Sequence, residues 1–264
     1  MNYKISDISN IFQISKEMIR YYEKQGAISS VRKEENNYRI YSIWDIFNFL
    51  DFLQYKNLGI SAKELSKIKE NHFSKSMKEH MRILKKELDE EIQYKHIIRN
   101  RMDELLERME CCEFNEKNYW VKRIPGKYMY HFLTSTNDSY GEIQIPLEIR
   151  KHIFSDYLMP LLDPCIEFQN KNEWWYSISD TYADVLDDSC LKEARHVDSQ
   201  ICLCSIVNMG EIGEFTTNCL QSVKNYMKEK GFEQSGTITG VLLGRGKEEN
   251  VYVRRMEIQV PLKI

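Results

Sequence analysis

Ile19-Arg20-Tyr21-Tyr22-Glu23-Lys24-Gln25-Gly26, followed at a short distance by Asn36-Asn37-Tyr38-Arg39-Ile40-Tyr41, is the stretch around which the chain is organised. Met18, Ile19 and Tyr22 recur at helical spacing and predict a buried stripe. Lys16, Glu17, Arg20 and Tyr21 then fall on or near the exposed face. Ser15 stands where a helix needs an N-cap, because its hydroxyl can accept from an orphan amide of the first turn. On the N-terminal side, Ile5, Ile8, Ile11 and Phe12 predict a shorter helix with Ser6 as its cap. Two short helices joined by a tight turn, the second presenting polar and basic groups, form the arrangement that enters a major groove.

On the other side, Arg32-Lys33 and Arg39-Ile40-Tyr41 flank Glu34-Glu35-Asn36-Asn37, and asparagine tolerates the positive φ of a hairpin tip. This predicts a β-wing. Arginine and tyrosine in these places suit a phosphate backbone, which positions a protein without spelling out a base sequence. The bland alternative for each is a solvated or intramolecularly paired side chain. Ser42, with Asp45 in the capping-box place, predicts a helix with Ile43, Ile46, Phe47, Leu50 and Leu53 on its apolar face. Gly59 ends that region, and Ser61-Ala62-Lys63-Glu64 caps another helix carrying Leu65 and Ile68.

From about 76 to 110 there is neither Pro nor Gly, and Glu, Lys, Arg, Leu and Met dominate. A long helix is predicted. A three-four stride through Met81, Leu84, Leu88, Glu91, Lys95, Ile98, Met102, Leu105 and Met109 reads as a coiled-coil seam, apolar at both ends and charged at the centre. A helix packed on its own domain is the alternative. Cys111 and Cys112 close the segment with no third cysteine nearby, so no metal site is expected.

The chain has 264 residues, of which 42% are hydrophobic. That supports two modest cores better than one. No apolar run is long enough to span a bilayer, and seven cysteines in no regular framework suit reduced thiols. A cytoplasmic protein without membrane attachment is expected. The net charge of −3 conceals an asymmetry: residues 1–75 hold 12 Lys+Arg against 9 Asp+Glu, so the positive excess sits at the N-terminal end.

After residue 118 the hydrophobic period shortens to about two. Tyr119 to Ile124 and Lys127 to Phe132 read as strands around Pro125-Gly126. Ile149, Ile153, Tyr157, Leu158 and Leu161 suggest a helix, then Cys165 to Phe168 and Trp174 to Ser179 are strands. The order recurs. Ile201 to Val207 is strand-like, Phe215 to Gly231 helical with Leu220, Val223 and Met227 inward, and Thr237 to Leu243 and Val251 to Leu262 are strands. A duplicated strand-helix-strand-strand unit is predicted, and with the N-terminal part an α+β multidomain chain.

Ile-Arg-Tyr-Tyr-Glu-x-x-Gly at 19–26, Asn-x-Tyr-Arg-x-Tyr at 36–41 and Leu-Gly-Ile-Ser at 58–61 together resemble the MerR family of transcription regulators, over roughly Tyr3 to Glu70. One departure is Asn37, where the family usually has Gly. The duplicated C-terminal unit resembles the GyrI-like effector-binding domain. These resemblances imply a winged helix-turn-helix DNA-binding domain at 1–75, an antiparallel dimerisation coiled coil at 76–112 and an effector-binding domain at 118–264.

They also imply that Ser15, Lys16, Arg20, Tyr21, Asn37, Tyr38 and Arg39 contact double-stranded promoter DNA. A homodimer would present two such heads to two half-sites, with RNA polymerase as a further partner. A pocket between the repeats would hold a small effector, a lipophilic cation by this resemblance. Trp120, Tyr157, Trp174, Trp175, Tyr176, Tyr182 and Tyr252 would supply its rings and Glu257 its carboxylate. The ring faces and an unpartnered buried carboxylate both favour a cation. A partner for Glu257 among Arg254 and Arg255 is the competing reading, since alternation puts Arg255 on the same face.

The implied function is a ligand-responsive activator that distorts promoter DNA. No cofactor is expected. Two alternatives remain: a small-molecule hydrolase, since relatives of the GyrI-like domain include such enzymes, with Glu257, His131 and Cys202 as candidate groups but no nucleophile-base motif; and a constitutive architectural DNA-binding protein whose pocket stays empty.

Overall fold

A computed structural model describes residues 2–32, 38–70, 73–114, 118–248 and 250–263. The chain forms two compact units, Met1–Gln93 and Tyr94–Ile264.

The N-terminal unit contains α1 (Ile5–Phe12), α2 (Lys16–Lys24), β1 (Val31–Arg32), β2 (Arg39–Ile40), α3 (Ile43–Asn57), α4 (Ala62–Glu70) and the start of α5 (Phe73–Phe114). Local capping chemistry sets the helix starts. Ser15 Oγ accepts from the Met18 amide at 3.2 Å, and Ser42 and Asp45 cap reciprocally, as do Ser61 and Glu64. Ser6 is not a cap. The N-cap is Lys4, two residues earlier, with Asp7 Oδ2 accepting from the Lys4 amide at 2.7 Å. Gln13 takes a left-handed φ of 54° at the turn into α2.

Ile8, Ile19, Tyr22, Tyr41, Phe49, Phe52, Ile60, Leu65 and Met77 form the core of this unit. Met18 is 43% exposed, so the buried stripe of α2 is narrower than its spacing implies. α3 is turned relative to expectation: Ile46, Phe49 and Phe52 are buried, while Ile43, Phe47 and Leu50 face outward. The helix is apolar nearly all round, so spacing alone leaves its phase open. Packing decides it, with the Phe49 ring edge-on to Phe12 at 5.2 Å and tilted against Tyr22 at 5.6 Å. β1 and β2 pair antiparallel as Val31↔Ile40 and Arg32↔Arg39. The tip of this wing, with Asn37, lies outside the described residues.

The C-terminal unit holds the rest of α5, then β3 (Tyr119–Ile124), β4 (Lys127–Thr136), β5 (Ser139–Tyr140), α6 (Leu147–Ile153), β6 (Asp163–Glu167), β7 (Asn172–Ser179), α7 (Asp188–Glu193), β8 (Arg195–Val197), β9 (Gln200–Asn208), α8 (Gln221–Lys230), β10 (Thr239–Glu248) and β11 (Val251–Pro261). The strand order is β3-β9-β11-β10-β6-β7-β4-β5, with β8 on β4. The duplication predicted from the sequence is present as β4-α6-β6-β7 and β9-α8-β10-β11. The halves meet where β10 pairs antiparallel with β6, and each short leading strand crosses to the other half: β3 pairs β9, and β8 pairs β4. Pro125-Gly126 therefore joins strands that are not neighbours. A Cβ at Gly126 would lie 2.1 Å from Asp180 Oδ2, which ties this turn to a glycine.

One face of the sheet is covered by α6 and α8. Tyr130, Ile149, Ile153, Leu161 and Ile178 fill the first half, and Leu203, Val223, Met227, Met256 and Ile258 the second. The helix expected to run on to Leu161 stops at Ile153, and a 3₁₀ turn at Met159–Leu161 follows. Tyr157 is thereby turned outward, where its ring stacks on Tyr94 at 4.2 Å.

The seam positions of α5 divide between their own unit's core and water. Leu84 packs on the N-terminal core, while Leu88 and Ile92 are exposed. In the C-terminal unit Ile97 and Ile98 pack on the first half and Leu105 turns inward, while Met102, Leu106 and Met109 are exposed. Of the expected seam, Leu84, Ile98 and Leu105 turn toward their own unit, while Leu88, Met102 and Met109 face water.

Candidate functional sites

In the N-terminal unit, α2 presents Lys16, Arg20 and Tyr21 outward from the buried pair Ile19 and Tyr22. Ser15 sits at the start of this helix with its hydroxyl engaged in capping. Among the described residues Arg20 makes a loose contact with Glu17, at 3.6 Å between well-exposed side chains. Such a contact competes weakly with a phosphate. Arg39 is more committed: its Nε donates to Glu23 Oε2 at 2.8 Å, and Ser30 donates to the other oxygen of the same carboxylate. Tyr38 is exposed beside it. Glu23 thus ties the wing strand to α2, and Lys56 Nζ donates to the Tyr22 hydroxyl from α3.

Residues 4–41 match the model of the MerR family regulatory protein. The helix-turn-helix segment at the N-terminus is of the MerR family. A mercuric resistance operon regulatory protein of Bacillus cereus is 29% identical over 68 residues, which are 26% of this chain and 52% of that protein. The chain thus matches about half the length of this curated relative. A transcriptional regulator of the MerR family from Bacillus cereus, known as a crystal structure, is similar at a TM-score of 0.37 and 20% identity, covering 42% of this chain and 84% of that one. A cryo-EM structure described as an EcmrR–DNA complex in EcmrR-RPo gives a TM-score of 0.37 and 13% identity, covering 99% of both chains. Beyond this MerR-type segment, the C-terminal unit offers a second kind of site.

There, a cavity of about 450 Å³ opens among α5, β4, β6, β7 and β10. That is within the usual range of about 300–1,000 Å³ for small-molecule sites. Trp174, Trp175 and Tyr176 line it, joined by Phe132 and Tyr140, which sequence reasoning did not single out. Tyr176 is fixed by edge contacts with Phe132 at 5.1 Å and Phe154 at 5.0 Å, and the Trp174 indole N–H donates to Ser135 Oγ at 2.9 Å. Two β-bulges shape the walls: register slips at Phe132 on β4 and at Leu243 on β10, and both bulged residues line the cavity.

The other expected rings lie elsewhere. Tyr182 is buried in the core of the first half, and Tyr157 stacks on Tyr94. Trp120 stands near Lys122, whose Nζ is 6.0 Å from the ring, and Tyr252 pairs across the strands with Lys247. Glu257 does not reach the ring-lined cavity either. It borders a separate cleft of about 130 Å³ on the sheet face opposite α8.

Glu257 is buried and already matched. Lys122 Nζ donates to its Oε2 at 2.7 Å, and Gln259 Nε2 donates to its Oε1 at 2.7 Å. The partner anticipated on Arg254 or Arg255 is a lysine 135 residues away in sequence. Arg254 instead holds Asp138, and Arg255 holds Glu248. A cation approaching Glu257 would have to displace an ammonium group that is covalently part of the chain. The premise that this carboxylate lacks a fixed partner is thus corrected.

The cavity's own charges were also missed. Asp163, at its edge, receives Arg101 at 2.6 Å and Arg108 at 2.7 Å, both from α5, and these guanidinium groups hold its carboxyl below the ordinary range despite burial. Arg101 also meets Glu104 at 3.2 Å. The two pairs made by Asp163 join residues 62 and 55 apart in sequence, so no local pattern could reveal them. Among the described residues there is no cluster of His, Cys, Asp and Glu able to hold a metal. No helix among them is long and apolar enough to cross a membrane.

Proposed function

We propose that the chain is a ligand-responsive transcription regulator: its N-terminal unit binds promoter DNA and its C-terminal unit receives a small aromatic effector. The observation that carries the reading is the MerR-type match at residues 4–41, falling on a helix whose Lys16, Arg20 and Tyr21 are exposed beside Tyr38 and Arg39. Contacts from these side chains, with Ser15 and Asn37, would fix the protein on the phosphate backbone. Sequence preference would then come through DNA shape and deformability, and an activator would use that deformability when ligand binds.

In this proposal α5 is the dimerisation element, covering roughly 76–112 between a DNA-binding part at 1–75 and an effector-binding part at 118–264. The exposed Met102, Leu106 and Met109 support it, because a regular apolar stripe facing water calls for a partner. An antiparallel homodimer would present two recognition helices to two half-sites. RNA polymerase is the further partner that a MerR-type regulator reading implies. Arg101 and Leu105 reach the ring-lined cavity from the same helix that carries the stripe. Occupancy of the cavity and geometry of the dimer therefore share one element, which is what coupling between two sites requires.

The hydrolase alternative finds less support. Burial pushes the Cys202 thiol up to about 11, the opposite of what a nucleophile needs. Glu257 is engaged by Lys122, and His131 pairs with Glu173. Run-off transcription from the protein's own upstream region, with and without an aromatic compound, tests the regulatory reading. A change in transcript yield is expected on adding compound; equal yield in both arms would favour the architectural alternative.

A further inference from the structure

The ring-lined cavity carries an excess of positive charge. Of the arginines that line it, Arg101 and Arg254 are matched, by Asp163 and Glu104 in the first case and by Asp138 in the second. Arg245 lines the same cavity, and among the described residues no ion pair or hydrogen bond is found for its guanidinium. Three guanidinium groups thus line the cavity against one carboxylate, that of Asp163.

The placement of Arg245 sharpens the point. On β10 it lies directly opposite Arg254 on β11, and like charges in that register disfavour the sheet. Arg254 is neutralised by its bidentate pair with Asp138; Arg245 is not. Next to it stands Gly244, where an added Cβ would meet nothing within 4 Å, so the space above the strand is open to an incoming group. A planar guanidinium with free donors, beside aromatic rings, is suited to receive a carboxylate on a flat molecule.

Resting on the reading of this cavity as the effector site, we propose that it takes an aromatic anion, such as an arylcarboxylate, with the carboxylate on Arg245 and the ring between Trp174 and Tyr176. The cation expected from the sequence would meet net positive charge here.

Calorimetric titration of the full-length protein with 2-naphthoate, 2-naphthylmethanol and 2-naphthylmethylammonium tests this. The expected result is naphthoate binding about tenfold or more tighter than the ammonium compound, with Arg245→Gln removing about that factor and Arg245→Lys restoring part of it. Arg245 is exposed and faces a like charge, so these variants should lose no melting temperature. Equal or tighter binding of the ammonium compound, or a naphthoate titration unchanged in Arg245→Gln, overturns the proposal while leaving the cavity as an effector site. Failure of all three compounds to bind overturns both.

Discussion

Arg254 on β11 grips Asp138, 116 residues earlier in the chain, through two guanidinium–carboxylate bonds of 2.9 Å each. The same carboxylate accepts the amides of Gly213 and Phe215 at 2.8 and 2.9 Å, while Arg254 also donates to the carbonyls of Gly210 and Glu211. One buried ion pair thus fastens the β4–β5 turn to the loop after β9, beside the cavity mouth.

Removing one partner strands a buried charge. Asp138→Asn should cost about 3–5 kcal/mol at neutral pH, read by urea unfolding. The Arg254 guanidinium holds the Asp138 carboxyl well below its ordinary value. A depressed carboxyl contributes stability above its unfolded value and loses it as pH falls through the folded one. The gap between wild type and Asp138→Asn should therefore be full at pH 7 and narrow progressively below about pH 4. A gap independent of pH would deny the pair its electrostatic role.

The Lys122–Glu257 pair predicts coupling. Lys122→Met leaves a buried carboxylate unmatched and should destabilise by about 1–3 kcal/mol. Combined with Glu257→Gln, part of that loss should return, giving an interaction term above about 0.5 kcal/mol in the double-mutant cycle. Additive losses would show that the two side chains act independently.

The outward stripe of α5 predicts an assembly. Leu106 is 56% exposed, so Leu106→Glu should leave the fold of one chain intact and the melting of the isolated chain little changed. Light scattering after size exclusion should read a dimer for the wild type and a monomer for Leu106→Glu. A monomeric wild type would remove the dimer from the account.

What the sequence made legible was local. Ser15, and Ser42 with Asp45, announce helix starts because a cap needs only residues three apart. Alternation and the repeated strand-helix-strand-strand order gave the C-terminal architecture. Phase was harder: α3 carries Ile43, Trp44, Phe47 and Leu50 on the face that stays in water, and nothing in its own composition separates that face from the one holding Phe49 and Phe52.

The candidate sites divide in the same way. Exposed groups on α2 follow from helical period. The ring-lined cavity depends on Phe132 and Leu243, displaced by bulges, and on pairs such as Arg101 with Asp163 that only the folded chain brings together. Trp174 to Tyr176 were found because three rings in a row on a strand are conspicuous; the charges around them were not.

The central claim is that α2 meets a DNA backbone. A duplex selected by the full-length protein from a random library, labelled and titrated by fluorescence anisotropy across a salt series, tests it directly. Arg20, in loose contact with Glu17 among the described residues, is the clean probe, whereas Arg39 also secures the wing to Glu23. Arg20→Ala is expected to weaken binding to specific and unrelated duplexes alike and to reduce the salt slope by about one. Unchanged affinity and slope in that variant, with the fold intact, would contradict the account.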